Sequence, residues 1–141
     1  MKIRAAKKED YKALMGLYNA FVEENRYSSP GNDSFFNILR SKSGYIYVLE
    51  EKRELVGFVS FSIRTIVRCP KPIVELDEIF VAEKARGKHY GKRLLEKAIR
   101  EARKAGCCRM FIETAYKRKI AHKMYEKLGF KNNGYHFFRS L

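Results

Sequence analysis

The stretch from Ile73 to Glu113 constrains the fold more than any other part of the chain. "IVELDEIFV" is a β-type run, and the turn that follows, up to "RGKHYG", carries glycines and positive charge. From Tyr90 to Ala105, Leu94, Leu95, Ala98, Ile99 and Ala102 share one helical face, with mostly Lys, Arg and Glu opposite, until Gly106 ends the pattern. "RMFIE" then reads as a buried-type strand. A crossover from Phe80 through a helix to Phe111 joins parallel neighbours by a right-handed connection, so a sheet with a helix on its face is required.

The remaining elements fit around that unit. "KIRAA" is a short first strand, and Leu14, Leu17, Tyr18, Phe21 and Val22 recur at helical spacing. "SSPGND" breaks the chain before a second helix capped by Asp33 or Ser34, burying Phe35, Phe36, Ile38 and Leu39 and stopping near Gly44. "YIYVLE" and "LVGFVSFSI" flank the polar "EKRE" as an antiparallel hairpin. Ile120, Ala121, Met124, Tyr125 and Leu128 form a last helical face closed by Gly129, and "YHFFRSL" after the "NNG" turn is a final strand. The order β-α-α-β-β-β-α-β-α-β predicts an α/β class with a mixed central sheet, helices on both faces and one domain over residues 1–141. No repeat, linker or low-complexity stretch interrupts it.

Thirty Lys plus Arg against sixteen Asp plus Glu give a formal charge of +14, which favours acidic partners: nucleotide cofactors, nucleic acid or acidic protein surfaces. "MKIRAAKKEDYK" is too polar for a signal peptide, and no apolar run approaches the roughly 18 residues of a membrane span, so a cytoplasmic protein without membrane contact is expected. Cys69, Cys107 and Cys108 suggest neither a disulfide framework nor a metal site, and are expected as buried or half-buried free thiols. The turn before Tyr90 has a more specific meaning. A helix N-terminus offers unpaired N–H groups and the positive end of its dipole, so a glycine-bearing, cationic turn there suits an anion.

With these residues in view, the chain resembles the GNAT superfamily of acyl-CoA-dependent N-acyltransferases over nearly its whole length. The family's turn motif, Arg/Gln-x-x-Gly-x-Gly/Ala, is matched by Arg86 and Gly91, with Gly87 and Lys88 between them and His89 in place of the central glycine. "AHKMYEKLGF" is similar to the family's second motif. The resemblance implies that Arg86, Gly87, Lys88, His89, Tyr90, Gly91 and Lys92 hold the pyrophosphate of acetyl-CoA, the co-substrate, through backbone amides and cationic side chains. Either His89 has its backbone already in the α region, or its imidazole adds a phosphate contact. Arg118 stands where an asparagine is common, keeping a donor for a capping or cofactor contact.

The reaction so implied is attack of an amine on a thioester carbonyl, formation of an oxyanion and departure of a thiolate. The family takes its oxyanion donor from a backbone N–H of the fourth strand, here Ile79 or Phe80, and pairs the pantetheine arm with that strand near Val81. A free alkylamine has a pKa of about 10, so a carboxylate or water chain must accept its proton. Asp77 and Glu78 match acidic positions that polyamine- and small-amine-acetylating relatives use at the substrate side, and Glu113 matches a strand-five glutamate of protein-acetylating ones. Strict strand alternation puts Asp77 and Glu78 on opposite faces, which leaves at least one of them structural or peripheral. Tyr125 is implied as the acid that protonates the leaving thiolate. His122 and His136 are read as surface or packing residues, and no metal-ligand spacing is present.

The acceptor is an amine on a small molecule or on a protein, and the protomer is expected as a monomer or homodimer. The excess positive charge disfavours free polyamines and mildly favours an acceptor attached to something acidic. The alternative is a basic nucleic-acid- or ribosome-associated binding module with no or vestigial transfer activity. Under the enzyme reading, nucleic acid is bound only non-specifically if at all. The loops "NRYSSPGND" and "TIVRCPKP" carry no substrate motif.

Overall fold

Backbone pairing dictates the layout: three antiparallel ladders and one helical crossover produce a five-stranded mixed sheet in the order β1-β2-β3-β4-β5. In the computed structural model, which describes residues 1–25 and 29–141, the elements are β1 (Lys2–Ala5), α1 (Tyr11–Asn25), α2 (Asn32–Arg40), β2 (Gly44–Glu51), β3 (Glu54–Arg64), β4 (Ile73–Val81), α3 (Tyr90–Lys104), β5 (Arg109–Ile112) and α4 (Lys119–Lys127). Part of the loop "NRYSSPGND" lies outside the described residues. The chain divides into two compact units, Met1–Phe111 and Ile112–Leu141.

In the first unit the sheet is covered on both faces. Alternation along β2 and β3 sends Ile46, Val48 and Phe58 toward α1 and α2, where they join Leu14, Leu17, Tyr18, Phe21, Phe35 and Phe80 in one core. Tyr18 stacks on Phe58 with ring centroids 4.1 Å apart. The amphipathic α3 buries Leu94, Leu95 and Ala98 and packs against β2, β3 and β4. Its close approach needs Gly57, where a Cβ would lie 2.8 Å from the Phe80 carbonyl oxygen and 3.3 Å from Leu94. The β2–β3 hairpin turns through Lys52 and Arg53, both at positive φ, the left-handed geometry that matches strand twist in a two-residue loop.

Four expectations from sequence need correction. Gly31, in extended conformation, precedes the first residue of α2, so neither Asp33 nor Ser34 caps it, and Asp33 instead sits in the first turn, where its charge suits the dipole. Ile120 is 89% exposed and leaves the apolar face of α4, while Tyr125 is buried. Cys108 is exposed and only Cys69 and Cys107 are half-buried. The final strand does not form: residues 135–141 pair with no strand among the described residues, and Tyr135, Phe137 and Phe138 stand in solvent. High β-propensity supplies the side chains for a strand but not the partner that satisfies its backbone. No helix among the described residues is long and apolar enough to cross a membrane.

Candidate active site

The acidic pair on β4 is shaped by a bulge. Ser60 pairs with Glu78 and Phe61 with Leu76, so Asp77 is the extra residue in the ladder. The bulge corrects strict alternation: Glu78 accepts from Ser60 and Asp77 from Ser62 at 3.2 Å, and these two serines share one face of β3. Both carboxylates therefore lie on the α1 side of the sheet. Tyr18 donates to the same Glu78 oxygen, Oε2, at 2.8 Å. Burial, with the Glu78 charge, pushes the Tyr18 phenol far above its ordinary value, so it stays a neutral donor. Partial desolvation, followed by the charges of Glu78 and Glu75, pushes the Asp77 carboxyl up to about 6 against the opposing Ser62 bond.

The other edge of β4 is equally specific. Ala82 N–H donates to Val56 O at 2.9 Å, which makes that a bonded pair and, by antiparallel alternation, turns the polar groups of Phe80 toward β3 as well. Ile79 and Val81 then present theirs away from β3, and Val81 O duly accepts from Arg86 Nε at 3.0 Å. Of Ile79 and Phe80, it is therefore Ile79 whose N–H points to the edge away from β3. Cys108 N–H donates to Pro72 O at 3.0 Å, so β5, four residues against nine, starts beside the start of β4 and ends before it does.

The turn after β4 is exposed from Arg86 to His89. The first bond of α3 closes from Arg93 N–H to His89 O at 3.1 Å, leaving the N–H groups of the first turn without intrahelical acceptors. Gly87 has φ +80, and a Cβ there would meet nothing within 4 Å, so the backbone is open to a ligand. His89 has φ 58 and ψ 21, the left-handed region, so its backbone is not in the ordinary α conformation and keeps the shape a glycine would give. The cations of the turn are held by carboxylates. Arg86 Nη2 bonds Glu24 at 2.5 Å and its guanidinium lies 5.7 Å from the Phe80 ring centroid. Lys88 reaches both oxygens of Glu51 at 3.0 Å, and the Tyr90 hydroxyl donates to Glu51 at 2.5 Å. Those bonds, Tyr90 foremost, hold the Glu51 carboxyl below its usual range. Lys92 lies 3.7 Å from Glu96.

In the second unit Tyr125 is buried on α4 against Phe130, ring centroids 6.0 Å apart. Burial raises its phenol above the usual value, with the Arg118 charge pulling the other way. Arg118 is the residue before α4 and makes no side-chain cap. Glu113 is exposed and pairs with His136 at 3.1 Å, while His122 Nε2 lies 3.0 Å from Ala115 O.

The model of the acetyltransferase (GNAT) family matches residues 11–130, from the start of α1 to beyond α4. This chain belongs to the GNAT family. The GNAT relatives include the uncharacterized N-acetyltransferase YhfO of Bacillus subtilis (strain 168), 30% identical over 136 residues that cover 94% of this chain and 91% of that protein. An aminoalkylphosphonate N-acetyltransferase of Salmonella typhimurium (strain LT2) is 26% identical over 140 residues, 99% of this chain and 91% of that one. Among solved structures, one described as a probable acetyltransferase shares the fold with a TM-score of 0.86 and 27% identity, covering 100% of this chain and 97% of that one.

Several side chains of this GNAT site escape a reading of the sequence alone. Tyr18 counts there only as a core residue, yet its hydroxyl is a ligand of Glu78. Ser60, a small polar side chain buried in the middle of β3, is the signal that could have revealed the carboxylate it binds. Glu24 and Glu51, which hold Arg86 and Lys88, come from elements distant in sequence and leave no motif.

Proposed function

We propose that this GNAT acetyltransferase moves the acetyl group of acetyl-CoA to a primary amine by direct attack. The observation that carries the reading is the β4 bulge, which brings two carboxylates to one face of a strand whose other edge leaves Ile79 and Val81 unpaired by β3 and which leads straight into an open helix-start turn. In this reading the N–H groups and cations from Arg86 to Lys92 hold the pyrophosphate. The polar groups of Val81 pair with the pantetheine amides, and Ile79 N–H donates to the carbonyl oxygen as charge develops on it. Asp77 or Glu78, directly or through water, accepts the amine proton as the C–N bond forms. Tyr125, neutral at physiological pH, supplies a proton to the departing sulfur as the C–S bond breaks. Exposed Glu113, paired with His136, is the weaker base candidate.

Calorimetric titration of acetyl-CoA into the protein tests the binding half: micromolar affinity is expected, and no heat at high micromolar ligand defeats the reading. Tyr125→Phe tests the acid. It keeps the ring against Phe130, so stability and acetyl-CoA affinity should hold while kcat falls about 10²-fold or more. A Phe variant that turns over like wild type removes Tyr125 from the mechanism and leaves the cofactor site untouched.

A further inference from the structure

A cavity of about 370 Å³ opens between α1, α2 and the sheet, within the size range of small-molecule sites. Its walls are mostly apolar, with Phe21, Val22, Phe35 and Ile46 among them and Ser29 and Ser34 beside, and the carboxylate of Glu78 lies at its lining with Tyr18. No Lys, Arg or His appears among the described lining residues. Glu78 Oε2 takes both neutral donors, Tyr18 and Ser60, whereas Oε1 has no hydrogen-bond partner and Glu78 no ion pair among the described residues. A half-buried carboxylate against mostly apolar walls, with no counter-charge among the described residues, favours a ligand that brings one cation and otherwise buries carbon.

From this chemistry we infer that the acceptor is a monoamine on an apolar aliphatic or aromatic body, bound as the ammonium with Glu78 Oε1 as its partner. The inference rests on the acetyl-transfer reading for its turnover, but not for its binding. Once the ammonium has given one proton to the carboxylate cluster, the neutral amine forms the C–N bond, the thioester's C–S bond breaks, and the second proton shed by the nitrogen balances the one the departing thiolate takes up to leave as the thiol. On the lining described, a second ammonium, as in a polyamine, meets no second carboxylate, and a phosphonate meets no cation. The local charge thus opposes the global one: in a chain of net charge +14, the charged residue on the described lining of the acceptor cavity is an acid. It also separates this chain from the Salmonella relative named for aminoalkylphosphonates.

The test compares phenethylamine, 2-aminoethylphosphonate and spermidine, by calorimetry and by release of free thiol from acetyl-CoA. Phenethylamine should bind, lose at least tenfold in affinity in Glu78→Gln, and be acetylated with a kcat/KM at least tenfold above the other two. Val22→Arg, which adds a cation to the half-buried wall, should weaken phenethylamine and favour the phosphonate. Preference for the phosphonate or spermidine in the wild type overturns the inference and leaves acetyl transfer standing. So does phenethylamine binding that ignores both substitutions, or no binding at millimolar amine. Glu78-dependent binding of phenethylamine with no thiol released for any amine upholds the amine site and defeats the transfer reading instead.

Discussion

The carboxylate floor at Asp77–Glu78 and the turn at Arg86–Lys92 are neighbours in sequence but are organised in opposite ways. At the floor a bulge fixes the backbone, and side chains do the work: Tyr18, Ser60 and Ser62 each place a hydroxyl on an acid. In the turn the side chains are exposed and their ion pairs with Glu24, Glu51 and Glu96 are surface contacts that solvent and salt screen. What is particular there is the backbone, with Gly87 and His89 both at positive φ ahead of a helix start. Side-chain deletions should therefore hurt the floor more than the turn, and backbone or steric changes the reverse.

The largest effect expected from that contrast is at Gly91. Gly91→Glu adds bulk and negative charge at the helix start and should abolish acetyl-CoA binding by calorimetry. Lys88→Ala, by comparison, removes one exposed charge and should weaken binding only a few-fold, by an amount that shrinks further as salt is raised. If the two substitutions cost the same, the turn holds its anion by side chains and the contrast fails.

Asp77→Asn probes the floor. With a carboxyl pushed up to about 6, the wild type should show an acid limb near pH 6 in kcat/KM if Asp77 takes the amine proton, and the Asn variant should lose both the limb and most of the rate. Stability moves the other way. A folded-state value above the unfolded value of about 3.9 means that Asp77 favours folding below pH 4, a contribution lost as pH rises through about 6. Because the side chain is exposed, solvent screening keeps the effect to about 1 kcal/mol or less. Urea titrations at pH 4 and pH 7 should show Asp77→Asn stabilising at the higher pH alone, and an unchanged pH–rate profile hands the base role to Glu78.

How much of this was legible in the sequence follows the same division. Local signals carried the helices, the hairpin and the glycine turn, because periodicity and turn residues act over a few positions. Pairing did not come with them: the bulge that reverses the face of Asp77 exists only in the register of β3 against β4. It is also why Tyr18, sixty positions from Glu78, was invisible as its partner. The missing last strand has the same cause, since "YHFFRSL" announces a strand without saying what it would pair with. The turn was legible as a glycine-bearing, cationic helix start, whereas the glutamate at the mostly apolar cavity was masked by a net charge of +14.

The smallest effect sharpens the comparison most, because at His89 backbone and side chain make separate demands on one residue. Its left-handed conformation costs a non-glycine residue about 1 kcal/mol, and His89→Gly relieves that strain while adding entropy to the unfolded chain. The two nearly offset, so stability should change by no more than about 1 kcal/mol. The imidazole is exposed and has no hydrogen-bond partner among the described residues, so its loss removes nothing the folded protein uses by itself. If the turn binds through backbone N–H groups, which His and Gly share, acetyl-CoA affinity in His89→Gly should stay within about twofold of wild type and lose none of its pH dependence. A drop of tenfold or more would show the ring itself on the phosphate. In that case the turn, like the floor, works through a side chain.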